Sequence, residues 1–267
     1  MTTAGKKITM VTKPYETGKI TDRNTVKRAF GFLGLLLVFT FISVLACSMF
    51  LFDNQALRII LNGIVELLIL TICFSNGNSR GTEDVAKGEV IYHHKELGKP
   101  DDPSTAATAY HPLKGFAIGV FGSAVILIAA ILLAVMAEKT ITGNGALPSW
   151  LEAYQRRPEI SNALTAYTVP ASLTFVSALR TVVRLFLMPL VSIVGPDNKD
   201  LMLVLERISP VLVLLPAAAF GIGYMQGPAI RSKVHTDISE SIRKRRKKQR
   251  KEQKKRAQAF KEPEKLN

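Results

Sequence analysis

Two cysteines, Cys47 and Cys73, are all the chain has in 267 residues, and this scarcity excludes a fold stapled by disulfides. Each stands near the end of an apolar run. If those runs form a hairpin, the sulfurs lie about 20 Å apart at 1.5 Å rise per residue. A disulfide needs Cα atoms within about 7 Å. Asn-x-Ser/Thr acceptors are absent, so no N-glycosylation is expected. Histidine is sparse: His93 and His94 are adjacent, point to different faces and lack the spacing of a metal pair. Glu89 and Glu96 would be their nearest additional ligands, but no HExxH or paired cysteines support them, and no metal is expected. There is no GxSxG, no P-loop and no Ser/His/Asp arrangement. Gly221, Gly223 and Gly227 sit in an apolar run and do not fit a dinucleotide fingerprint. No catalytic residue and no cofactor emerges, and the chain reads as a non-enzyme. Internal repeats and paired broken helices of the transporter kind are also missing.

Charge is missing from the middle of the chain. Residues 1–28 carry seven Lys/Arg against Glu16 and Asp22, and residues 227–267 carry fifteen against five acids. The 198 residues between them sum to −1, although the whole chain is +14 and 48% hydrophobic. A soluble basic protein spreads its charge over its surface, whereas a membrane protein concentrates it in cytoplasmic segments. The expected organisation is a basic cytoplasmic segment over 1–28, a membrane domain over 29–226 and a basic cytoplasmic tail over 227–267.

Five apolar runs fill the membrane domain: 29–52, 56–75, 113–137, 169–194 and 201–226. Each is long enough for a ~30 Å hydrocarbon core. The first is too long for a cleaved signal peptide. Val44-Leu45-Ala46-Cys47 loosely resembles a lipoprotein cleavage box, but the apolar Met49-Phe50-Leu51-Phe52 beyond it argues against cleavage. Two basic tails on one side require an even number of crossings. The run 169–194 is the one expected not to cross. It begins near Pro170, ends near Pro189, and carries Arg180 and Arg184 one turn apart. Each arginine costs about 2.5–3.5 kcal/mol at mid-membrane. The fold class is therefore an all-α integral membrane protein: four transmembrane helices plus one interfacial or re-entrant helix, with five crossings as the alternative. In that arrangement the arginines reach phosphate or water.

The loop 76–112, with four basic and six acidic residues, should be cytoplasmic. Asn76-Gly77-Asn78 reads as a helix stop, Thr82-Glu83-Asp84 as a new start, and Gly98-Lys99-Pro100 as the next stop, giving a separate short helix near 83–97. The loop 138–168 should be external, with a short helix opened by Ser149-Trp150-Leu151-Glu152 and Tyr154 at the headgroups. Small residues at intervals of four (Gly115, Gly119 and Ser123; Ala217 and Gly221; Ala219, Gly223 and Gly227) suit close packing within the bundle, the alternative being a homodimer contact. Pro210 and Pro216 are expected to kink the last run.

Inside the membrane, Arg58, Asn62 and Glu66 recur at i, i+4 and i+8 as one polar stripe, with Glu66 near mid-bilayer. Thr40 and Ser123 fall at similar depth as hydrogen-bond partners, and Arg180 or Arg184 as an ion partner. The stripe reads either as a register pin or as the polar path of a small transporter or channel component. In the tail, Asp237-Ile238-Ser239-Glu240 reads as a helix start and Pro263 as a stop. Between them stand Arg243, Lys244, Arg245, Arg246, Lys247, Lys248, Arg250, Lys251, Lys254, Lys255 and Arg256. Positive charge covers every face, so the tail suits a polyanion. The candidates are anionic lipid headgroups, ribosomal RNA, or simple topological anchoring. Only Phe260 offers a stacking ring, so base or DNA sequence readout is not expected. The tail is similar, in charge alone, to the ribosome-contacting tails of membrane insertases, whose motifs the chain does not carry.

The leading expectation is a non-enzymatic scaffold or accessory subunit of a bacterial cytoplasmic membrane, in contact with the bilayer and with another membrane protein. An insertion or assembly factor is a further expectation.

Overall fold

The computed structural model describes residues 11–49, 54–99, 102–137, 174–195 and 198–259, and these are helical with no strand among them. The external helix expected around Trp150 and Tyr154 and the tail end near Pro263 lie outside the described residues. Among the described residues eight helices follow in chain order: α1 Arg23–Met49, α2 Gln55–Glu96, α3 Pro103–Ala107, α4 Lys114–Met136, α5 Phe175–Phe186, α6 Met188–Val194, α7 Lys199–Met225 and α8 Gly227–Ala259.

Four helices are long and apolar enough to cross a membrane: α1, α2, α4, and α7 running on into α8. Their apolar windows are only 11–39% buried within the protein. Phe30, Leu67, Val125, Val135 and Val211 are among the large side chains left outside. A water-soluble monomer rarely shows so continuous an apolar surface.

The interior is assembled from the faces these helices do bury. Phe32 and Leu36 of α1, Cys73 of α2, Ile118 of α4, and Ala217 and Phe220 of α7 form one cluster. Ala130 and Leu133 of α4, Val183 of α5 and Val213 of α7 form another. Glycine and alanine set how near the backbones come. Gly119 faces Ala217, Gly122 faces Ala29 and Phe32, and Gly115 faces the Tyr224 ring. The small residues therefore serve contacts within this chain.

The run 169–194 is broken. α5 and α6 meet at 96° across Leu187, with Pro189 in the first turn of α6. Proline cannot continue the preceding ladder but suits a helix start. At 12 and 7 residues, the arms measure about 18 and 10 Å. Neither alone spans ~30 Å.

Three expected helix boundaries are corrected. α2 does not stop at Asn76-Gly77-Asn78. It continues unbroken to Glu96, so Thr82-Glu83-Asp84 starts nothing and the helix near 83–97 is its far half. The reason is tertiary. Gly77 lies on the Phe220 carbonyl, Gly81 on that of Tyr224, Gly223 on that of Phe74, and Gly227 on Gly81. The residues that read as a stop are where α2 and α7 touch backbone to backbone. The stop at Gly98 does hold: its φ of 69° follows the Leu97 cap. The tail helix begins at Gly227, not at Asp237, with the single residue Gln226 separating it from α7. α7 also continues through Pro210 and Pro216.

Contacts between α2 and α7–α8 advance together along both chains, so the two helices run parallel and leave the apolar bundle at one end as a two-helix stalk. α1 and α4 begin at this same end. The irregular segment 11–22 straps the stalk: Glu16 N–H donates to the Gly88 carbonyl (3.1 Å) and Val11 N–H to Thr236 Oγ1 (3.0 Å). The start of the described chain thus lies beside the first turns of α8.

Gly81→Leu is expected to drive a side chain into the Tyr224 backbone and destabilise the protein by about 1–3 kcal/mol or more. Gly63→Leu, where a Cβ meets open space, should not lower the thermal midpoint in detergent.

Candidate functional site

Polar groups gather at both ends of the bundle. At the stalk end Asp84, fully buried on α2, accepts from Arg28 of α1 (2.6 Å) and from the Tyr224 hydroxyl of α7 (2.7 Å). Its second oxygen has only Lys87 Nζ at 3.7 Å. Tyr224 stacks on Tyr110 at 5.4 Å, and Tyr110 meets Tyr15 edge-on at 5.9 Å. Lys114, also fully buried, opens α4. Its ammonium donates to Asp22 (3.1 Å) and to the Thr108 carbonyl (3.1 Å), with the carbonyls of Ala107 and Ala109 at 3.4 and 3.5 Å. Higher on the stalk, Glu89 joins α2 to α8 through Arg231 (3.1 Å) and His235 (2.7 Å).

Burial pushes the Asp22 carboxyl up, but the hydrogen bonds from Thr25 and Lys114 outweigh it and hold it below the ordinary aspartate value. A carboxyl lowered by folding favours the folded state above its unfolded value of about 3.9. That stability is lost as pH falls through the lower folded value.

At the opposite end, Glu206 of α7 is only 2% exposed and takes two guanidinium groups. Arg184 donates through Nε (2.9 Å) and Nη2 (2.5 Å), and Arg180 Nε lies at 2.7 Å. The arginines therefore converge on a carboxylate within the chain, Glu206 and not the expected Glu66, with Arg184 still 34% exposed. Glu206 is the sixth residue of its apolar run. It passed as an end residue, although an acid inside a run that faces two stray arginines was the available signal.

The stripe on α2 does face inward, but its members part company. Asn62 is fully buried, accepts from Cys47 Sγ (3.0 Å) and donates to the Arg58 carbonyl (2.8 Å). The Arg58 side chain lies against Gly195, which closes α6 with a φ of 81°. A side chain at that position would meet both the guanidinium and backbone strain. Half-buried Glu66 makes no hydrogen bond or ion pair among the described residues. It lines a cavity of about 20 Å³ with Thr40 and Ser43, room for about one water. Thr40 instead donates to the Leu36 carbonyl and Ser123 to that of Gly119, so the expected bonds to Glu66 are not made.

No three His, Cys, Asp or Glu side chains gather as a metal set among the described residues. Both cysteines are buried and free. In the tail, every side chain from Arg243 to Arg256 is exposed on α8. The fold thus defines an all-helical chain with four helices apolar enough to cross a membrane, pinned by buried ion pairs at both ends. No family model, curated protein or solved structure matches the chain.

The sequence reading missed Asp84, Lys114, Tyr224, Glu89 and Glu206. The first four lay in stretches that read as solvated loop or as plain apolar helix.

Glu206→Ala leaves two guanidinium groups facing one another and is expected to cost about 3–5 kcal/mol, measured as a lower midpoint in detergent. Glu66→Gln should change stability by no more than about 0.5 kcal/mol. Acidification below about pH 4 should destabilise the native chain more steeply than Asp22→Asn, compared by midpoints across a pH series.

Proposed function

We propose that the chain is a non-enzymatic membrane scaffold that holds a cationic helix away from the bilayer for a soluble polyanion, RNA first among them. α1, α2, α4 and α7 cross the membrane. The α5–α6 pair enters and turns back, so both basic ends face the cytoplasm. Support for four crossings comes from the 96° break across Leu187 and from arms of 12 and 7 residues, each too short to span alone.

The observation that carries the functional reading is the passage of α7 into α8 with one residue between. Arg243 lies 17 residues beyond Gln226 and Arg256 lies 30 beyond. At 1.5 Å each those are heights of about 25 and 45 Å, and an ordinary helix tilt of about 20° shortens them by only about 6%. The Debye length at physiological salt is about 8 Å. Headgroups of the same bilayer are then too distant to attract the tail with the ~1 kcal/mol per cation available at the surface. The Glu89 ion pairs, the Val11–Thr236 bond and the parallel contact with α2 keep the helix upright. Eleven basic residues exposed on all its faces, with few acids among them, suit phosphates without base readout. The transport reading has less support, because the cavity beside Glu66 holds no more than about one water.

The full chain in nanodiscs should bind single-stranded RNA with an affinity that falls steeply with salt, a log–log slope of about −3 or steeper. A chain ending at Ile242 should lose that binding. A fluorophore at residue 250 should remain unquenched by lipid-borne quenchers in anionic nanodiscs. Quenching there would return the tail to the headgroups, and RNA binding that survives truncation would overturn the proposal.

A further inference from the structure

A second cationic feature lies at the foot of α1. An open cavity of about 610 Å³ is bounded by Lys19 and Thr21 of the strap, Arg23 and Lys27 of α1, and Ser104 and Thr105 of α3. Its size is in the range of small-ligand pockets. Asp22 is the one acid among its lining residues, and its carboxylate is already taken by Lys114 (3.1 Å) and by Thr25 N–H (2.5 Å). Lys19, Arg23 and Lys27 make no ion pair among the described residues. Three cations thus share one concave surface with their nearest acid neutralised.

The arrangement opposes ordinary helix electrostatics. Arg23 and Lys27 are like charges at i, i+4, which destabilises a helix. Both stand at the start of α1, where the helix dipole disfavours cations; Asp22 caps the helix through Thr25 N–H, and no further acid occupies the first turn. An anion in the cavity adds an attraction that offsets both terms.

The walls are also fixed in place. Lys19 N–H donates to the Ala107 carbonyl (3.2 Å) and Gly18 N–H to that of Tyr110 (3.0 Å). Buried Lys114 ties Asp22 to the carbonyls of Ala107 and Thr108. The strap, α3 and α4 are thereby held together behind the cations, and little ordering remains for a ligand to impose. The hydroxyls of Thr21, Ser104 and Thr105 add donors that suit phosphate oxygens.

We infer that this cavity is a binding site for a phosphomonoester. Lys19, Arg23 and Lys27 supply the charge, and the hydroxyls on the facing wall supply orientation. The apolar run of α1 begins at Ala29, two residues past Lys27. If α1 crosses the bilayer as proposed above, the cavity opens at headgroup level and the ligand is an anionic phospholipid of the phosphatidic acid kind. The phosphate chemistry itself does not depend on that topology, and a soluble phosphate is the other source.

The full chain in neutral detergent is titrated with dioctanoyl phosphatidic acid, dioctanoyl phosphatidylcholine and inorganic phosphate, followed by calorimetry. Saturable one-to-one binding of phosphatidic acid, with phosphatidylcholine at least tenfold weaker, is expected. Lys19→Gln/Arg23→Gln/Lys27→Gln should weaken it tenfold or more. Lys244→Gln/Lys247→Gln/Lys248→Gln, with the same change in net charge, should leave it intact, as should ending the chain at Ile242. Inorganic phosphate binding as tightly as the lipid would assign the site to a soluble phosphate. Thr21→Ala, a milder change in the strap, should weaken binding severalfold and guards against misfolding of the triple variant. Equal loss in both triple variants, or no saturable binding of either phosphate probe, would overturn the inference. RNA binding by the tail is read separately, so failure of one proposal leaves the other standing.

Discussion

Backbone contact between α2 and α7 is the constraint from which the other features follow. Gly77 and Gly81 on one helix and Gly223 and Gly227 at the end of the other let the main chains meet without side chains between them. Close packing of this kind is a principal source of helix association where lipid removes the hydrophobic drive. Because the two helices run parallel, the contact does not end with the apolar bundle. It carries both helices onward, so that Asp84 meets Tyr224 and Glu89 meets Arg231 and His235. A flexible junction at either helix would leave the basic tail free to lie on the bilayer.

The buried charges fall into two groups with different work to do. At the stalk end Arg28, Asp84, Asp22 and Lys114 join the starts of α1 and α4 to the far half of α2 and to the strap. At the other end Glu206 joins α7 to α5, a helix that with α6 is too short and too bent to be held by apolar area alone. Buried ion pairs contribute little net stability compared with apolar packing, but breaking one is costly. Such groups select one arrangement of helices that are otherwise interchangeable apolar rods.

Two groups of cations stand out. One, from Arg243 to Arg256, lies exposed on α8, and the other lines the cavity at the foot of α1. The second lies within a turn of an apolar run. The same excess of Lys and Arg that reads as one property in composition therefore divides between an extended helix and a concave surface.

The sequence by itself determined the helical class, the four long apolar elements and the segregation of charge to the two ends; the break at Leu187 came from the structure. Apolar length, proline position and charge count are local quantities, and neighbouring residues suffice to express them. Only the tertiary structure decided that Asn76-Gly77-Asn78 continues a helix. A glycine costs a helix about 1 kcal/mol in isolation, and close contact with α7 outweighs that cost. The partners of Asp84 and of Lys114 were likewise invisible in the chain. The Asp84–Tyr224 pair joins residues 140 positions apart. A bond of that kind leaves no mark in local pattern, because it exists only once the helices have packed.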